Sequence, residues 1–194
     1  MRKGFFHTLL AAVLLLTFAA TARAQQNDLG ATVGGYFAGS SPLNLGAAWG
    51  LEASYARRIV SVPLVALSGE LPVAASFRSS IPTLSGLTLA RSYTSLFITP
   101  GVRLRLAPSF PVSFYVSAGL GYGRFQQTLF NNTTTSQGAF ALDIGGGLDI
   151  KILPFVSLRG EVRDFNSSSI AIASLLAAGR QNNLFITMGV GVRF

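Results

Sequence analysis

Leu184, Ile186, Met188, Val190, Val192 and Phe194 take every second place near the end of the chain. Phe185, Thr187, Gly189, Gly191 and Arg193 lie between them. Side chains of a strand point alternately to its two faces, so 184–194 reads as a strand with one greasy face and one small or polar face. The same period recurs upstream. In 94–106, Leu96, Ile98, Pro100, Val102, Leu104 and Leu106 oppose Thr99, Gly101, Arg103 and Arg105. In 112–125, Val112, Phe114, Val116, Ala118, Leu120 and Tyr122 oppose Ser113, Tyr115, Ser117 and three glycines. In 139–151, Phe140, Leu142, Ile144, Leu148 and Ile150 oppose Asp143, Asp149, Lys151 and two glycines. In 155–165, Val156, Leu158 and Val162 oppose Ser157, Arg159, Glu161 and Arg163. Residues 45–57 carry Trp49, Leu51 and Tyr55 opposite Glu52, and 62–77 carry Leu67, Leu71, Val73 and Phe77 opposite Glu70. With the Gly-rich segment 29–37, the pattern predicts eight strands. Proline removes a ladder hydrogen bond, so a bulge or an early strand end is expected near Pro72.

The connections alternate in length. Residues 58–61, 107–111 and 152–154 read as tight turns; 38–44, 78–91, 126–138 and 166–182 are longer and rich in Ser, Thr, Asn and Gly. The strand segments run to about 11–14 residues, against about 5–6 for soluble strands and about 9–11 for a tilted strand crossing a bilayer. Aromatic residues of the apolar face gather near strand ends: Phe37, Phe77, Tyr122 and Phe140 on the long-loop side, Tyr55, Phe114 and Phe194 on the turn side. Such paired girdles, with short turns at one end and longer loops at the other, predict an all-β fold. The arrangement expected is an eight-stranded antiparallel up-and-down transmembrane β-barrel. Closure leaves no unpaired strand edge in lipid. A soluble barrel with the greasy face turned inward around an apolar ligand is the inverted arrangement of the same pattern.

The first residues change the picture of what folds. Met1-Arg2-Lys3-Gly4 is basic, Phe5 to Ala20 is almost wholly apolar, and Ala22-Arg23-Ala24 follows. These three parts predict a cleavable signal peptide over 1–24, with a single barrel domain over 25–194. The formal charge of +8 falls accordingly: without Arg2, Lys3 and Arg23, twelve basic side chains stand against seven acidic ones. There is no dense Lys/Arg run, so no nucleic-acid partner is expected.

The ending Gly189-Val190-Gly191-Val192-Arg193-Phe194 resembles the C-terminal signal read by the outer-membrane assembly machinery, with Phe194 as its terminal aromatic. With the leader and eight strands, the chain resembles the OmpA/OmpX-type family of small outer-membrane β-barrels. The resemblance implies an integral protein of the bacterial outer membrane. It implies contact with outer-membrane lipid and lipopolysaccharide, and with the barrel assembly machinery during biogenesis. The loops are expected outside the cell and both termini in the periplasm. No functional residue of the family is carried over.

The chemistry is narrow. The only His is His7, in the leader, and there is no Cys. Ser-His-Asp and Cys-His catalysis therefore lack their base, and a His/Cys metal site lacks its ligands. No enzyme activity, cofactor or metal is expected. The inward face instead carries Glu52, Glu70, Asp143, Asp149 and Glu161 with Arg103, Arg105, Lys151, Arg159, Arg163 and Arg193. Eight strands leave an interior just wide enough for side chains, where isolated charges are costly. These groups are expected to pair as a salt-bridge plug, which favours a structural, envelope-integrity or surface-interaction (adhesin-like) role; the alternative is a narrow channel for ions or small solutes. Arg78, Arg91, Arg124 and Arg180 fall at the long-loop side, with Asp164 the only acid there. Arginine grips phosphate with a bidentate fork, so the four read either as lipopolysaccharide contacts or as ordinary solvated residues. Arg57-Arg58 reads as a solvated pair at a turn, and Trp49 as a lipid-facing anchor. No ligand or extracellular partner is named by any motif.

Overall fold

The computed structural model describes residues 26–39, 47–78, 92–128, 134–167 and 181–194. The strands are β1 (Asn27–Gly39), β2 (Ala47–Val62), β3 (Val65–Arg78), β4 (Ser92–Ile98), β5 (Gly101–Leu106), β6 (Val112–Thr128), β7 (Thr134–Lys151), β8 (Val156–Ser167) and β9 (Gln181–Arg193). Each pairs antiparallel with its neighbours, and β1 pairs with both β2 and β9, so the sheet closes on itself. Strands β4 and β5 both lie between β3 and β6. They are two halves of one stave, interrupted at Thr99-Pro100, so nine segments fill eight places around the ring. At the seam the Asn27 and Phe194 backbones exchange both hydrogen bonds, at 2.8 and 3.0 Å.

Alternation decides the faces. Leu51, Phe77, Val102, Phe114, Leu120, Ile144 and Val190 all point outward and are exposed. Trp49 and Met188 are the most open, at 71 and 72%. The charged and small residues face in. The greasy side is therefore the outer one, the reverse of a soluble ligand-binding barrel.

The strands outrun their apolar patterns, because the ladder continues where the side chains turn polar. The β6–β7 pair runs unbroken from Val112↔Ile150 to Thr128↔Thr134. Two connections and one strand interior differ from expectation. Strand β2 runs through 58–61 to Val62, and the turn is Pro63-Leu64. A bulge between Arg58 and Val60 shifts the register, which keeps Val60 and Val62 on the outer face. The turn after β7 extends through Phe155, with β8 opening at Val156. There is no bulge at Pro72, which pairs in register with Ser54 inside a continuous β3. The interruption lies across the sheet instead. Leu71 and Pro72 face the gap between β4 and β5, so the two residues without an N–H, Pro72 and Pro100, share one break in the ladder. The Thr99 N–H still reaches the Pro72 carbonyl at 3.4 Å, and the Leu120 N–H donates to the Pro100 carbonyl at 3.1 Å.

Backbones crowd at this break. A Cβ on Gly121 would lie 2.0 Å from the Ile98 carbonyl oxygen, whereas one on Gly160 would meet only Leu148 Cγ, at 3.9 Å. Gly121→Ala is expected to destabilise the folded barrel by roughly 1–3 kcal/mol, the usual cost of overpacking. Gly160→Ala should leave it unchanged. The temperature at which the compact band is lost on unboiled gels reads both; equal loss in the two variants would refute the assignment of the crowding to the break.

Candidate functional site in the filled lumen

Two layers fill the interior. The loop-side half is aromatic: Tyr36 of β1, Tyr93 and Phe97 of β4, Phe125 of β6, Phe165 of β8 and Phe185 of β9 are each at most 3% exposed. Phe97 stacks on Phe165 with centroids 4.7 Å apart, and Phe185 meets Phe165 edge-on at 5.4 Å. Phe125 closes on Phe97 from one side and Tyr36 on Phe185 from the other, at 5.4 and 4.9 Å. Ala74, Ala139 and Ala141 fill the remaining gaps. Tyr36 keeps its polar tip engaged: its Oη donates to Asn183 Oδ1 at 2.7 Å, and Asn183 Nδ2 donates to the Phe165 carbonyl at 2.8 Å.

The remaining depth is ionic. Midway, four carboxylates from β2, β3, β7 and β8 converge on Arg163. Its Nε lies 2.9 Å from Glu52, its Nη2 2.8 Å from Glu70 and its Nη1 2.6 Å from Asp143, and Glu161 completes the set. Arg103 forks onto Glu70, with Nη2–Oε1 at 2.5 Å and Nε–Oε2 at 3.1 Å. Toward the turn side, two carboxylates hold three guanidiniums. Arg159 bridges Asp149 (2.8 Å) and Asp28 (2.7 Å). Arg105 Nη2 lies 2.8 Å from both, and Arg193 reaches Asp149 at 2.8 Å and Asp28 at 3.3 Å. The Tyr115 ring packs under this group, with the Arg103 guanidinium carbon 4.3 Å from its centroid.

Ten of the eleven expected inward charges thus meet in one buried system. Lys151 does not: it lies half-buried at the turn-side rim, and its Nζ donates to the Pro108 carbonyl at 2.9 Å. The position is the last of β7, where the sheet ends and a long flexible amine reaches the adjacent turn. Arg57-Arg58 is in strand β2 rather than at a turn, with Arg57 exposed and Arg58 directed to the mouth. Among the loop-side residues, Arg124 is exposed on the outer face, 3.5 Å from Ser136 Oγ. Asp164 accepts from the Asn183 N–H at 3.1 Å. Arg91, Arg180, the Arg78 side chain and residues 1–24, the expected leader, lie outside the described residues.

Sequence reasoning missed two elements. Asp28 contacts four arginines, yet it precedes the expected strand 29–37 by one residue. Carrying the alternation of Gly30 and Thr32 back by one step would have found it. The aromatic layer was hidden because Tyr36-Phe37 and Leu96-Phe97 are apolar on both faces, which blurs a period of two. Among the described residues no cluster of His, Cys, Asp and Glu is arranged to hold a metal ion.

The Outer membrane protein beta-barrel domain family matches residues 9–194. The chain belongs to this family. No curated protein matches it. The barrel is similar in fold to the crystal structure of Neisserial surface protein A, with TM-score 0.58 and 18% identity over 87% of this chain and 97% of that one. It is similar to Ail, the attachment invasion locus protein of Yersinia pestis, at 0.54 and 14% over 87% and 99%. It is also similar to the outer membrane enzyme PagL, at 0.52 and 15% over 86% and 99%. At these identities the likeness is one of fold, shared by barrels with and without catalysis. This outer membrane barrel is accordingly an integral protein of the bacterial outer membrane.

The ion-pair geometry sets an order of importance within the barrel. Losing Asp28 leaves Arg105, Arg159 and Arg193 on Asp149 alone, and stranding buried charge costs about 3–5 kcal/mol. Glu52 makes one ion pair, accepts no hydrogen bond, and adds a fourth negative charge around Arg163. Asp28→Asn is therefore expected to lower the heat-modification midpoint strongly and Glu52→Gln little or not at all. The reverse order would refute this account of the network.

Proposed function

We propose that this outer membrane barrel is a non-enzymatic anchor with a closed lumen, serving envelope integrity or surface contact through its loops. The observation that carries the reading is the buried six-ring layer across the loop-side half, packed above a layer of ion pairs. A water-filled path needs neither; a plug uses both. The absence of His beyond His7 and of any Cys supports the non-enzymatic part. In this reading the turns and both termini face the periplasm and the longer loops face outward, the usual layout of such barrels. Protein extracted from the outer membrane and inserted in a planar bilayer is expected to be silent. Reproducible conductance steps that change on Arg159→Gln would overturn the plug and establish the runner-up, a narrow channel for ions or small solutes.

We further infer that Arg124, with Arg78, Arg91 and Arg180, contacts the phosphates of lipopolysaccharide, and that Phe194 serves the assembly machinery. Arg124 supports the first by its place on the outer face near the loop end of β6, beside the exposed Tyr122. Arginine offers the fork that phosphate accepts. Replacing all four arginines with Gln is expected to slow folding into lipopolysaccharide-containing vesicles, while leaving folding into phospholipid vesicles unaffected. Equal rates in the former would sink the collar.

A further inference from the structure

The tight turns 63–64, 107–111 and 152–155 lie at one end of the barrel, and Ser109 is their only polar side chain. Leu64, Phe110, Ile152, Leu153 and Phe155 are each more than half exposed. A turn standing in water is ordinarily built from Gly, Asn, Asp and Ser, and an apolar patch left open marks a contact surface. This patch continues the lipid-facing side of the barrel. The outward Val60 and Val62 of β2 run into Leu64, and the exposed Phe194 follows β9 at the same end. Surface charge here has one sign. Arg57 is exposed and Arg58 and Lys151 are half-buried, whereas the acids of this end, Asp28 and Asp149, are buried in the lumen. Arginine and lysine lay their stems along apolar surface and carry their charge to a phosphate layer.

The opposite end differs. Strands β6 and β7 have 17 and 18 residues, against the ~9–11 that a tilted strand needs to cross a bilayer. Beyond Ala141↔Ser167, the last pair of β7 with β8, their hairpin continues to Thr128↔Thr134. There the side chains are polar, with Arg124, Gln126, Thr134 and Ser136 exposed.

We propose that the turns are a membrane-docking surface seated in the phospholipid headgroup layer. The barrel then sits asymmetrically, flush with one leaflet, with the β6–β7 hairpin standing clear of the other. The apolar turn side chains enter the boundary between headgroups and acyl chains, the depth that other interfacial apolar surfaces reach. Arg57, Arg58 and Lys151 meet the lipid phosphates. A periplasmic protein would cover the apolar turns without requiring their continuity with the lipid face. The inference rests on the reading that the turns face the periplasm, and hence the phospholipid leaflet; it holds for an open or a closed lumen.

The chain has no Cys, so one introduced Cys gives one labelling position. Leu64→Cys, Phe110→Cys and Leu153→Cys probe the turns, Leu51→Cys the lipid face and Ser136→Cys the hairpin. Each full-length variant that keeps the compact band is spin-labelled and placed in vesicles of phosphatidylethanolamine and phosphatidylglycerol. Electron paramagnetic resonance then reads collisions with oxygen, which concentrates in lipid, and with a water-soluble nickel chelate. The turn labels are expected to favour oxygen over the chelate several-fold more than the Ser136→Cys label does, approaching Leu51→Cys. Turn labels as open to the chelate as Ser136→Cys would overturn the docking and leave the patch to water or a protein partner. On intact cells a membrane-impermeant maleimide is expected to reach Ser136→Cys and spare Leu64→Cys. The reverse would overturn the orientation, and with it the assignment to the phospholipid leaflet, whatever depth the vesicles show.

Discussion

A chain that crosses a bilayer with strands has no water to receive its backbone, so every N–H and C=O in the hydrocarbon must find another strand. The pairing of β1 with β9 is what makes that possible here. It runs from Asp28↔Arg193 to Gly39↔Asn182, and the Asn27–Phe194 exchange seals its turn-side end. Once the ring is closed at eight staves, the rest follows from geometry. The outer face must be greasy, the inner space is narrow, and whatever faces inward must fill it without leaving charge alone.

The lumen meets that demand in two chemistries. Rings fill the loop-side half, where Phe97, Phe165 and Phe185 pack without polar atoms to pair. Arginines fill the rest, because a guanidinium reaches across the lumen and serves several carboxylates from one side chain. Arg163 and Asp28 are hubs of opposite sign, each touching four partners, those of Arg163 from four staves and those of Asp28 from three. Such a network ties the ring across its diameter as well as around its circumference. Its charge is unevenly placed, richer in carboxylates at mid-depth and richer in guanidiniums toward the turns.

The single break in the ladder has a similar economy. Pro72 and Pro100 each remove a donor, and the fold sets both losses at one level of neighbouring staves. Gly101, Gly119 and Gly121 admit there the close backbone approach that a Cβ would block. Family membership and the small-barrel folds it resembles agree with this architecture, while the arginine and aromatic filling is read from this chain's own residues.

The sequence by itself determined which side of each strand faces lipid, because a period of two assigns faces without knowledge of any partner. It also determined the eight staves and the inward direction of the charges from Glu52 to Arg193. Only the tertiary structure decided depth and company. Asp28 became a hub because β1 starts two residues earlier than its apolar pattern. Lys151 stayed at the rim because β7 ends with it. The six rings met because loop-side ends of five strands converge on one level. Alternation carries no information on how far along the barrel axis a residue lies, since that depends on the stagger between paired strands, and stagger is settled only when the ring closes.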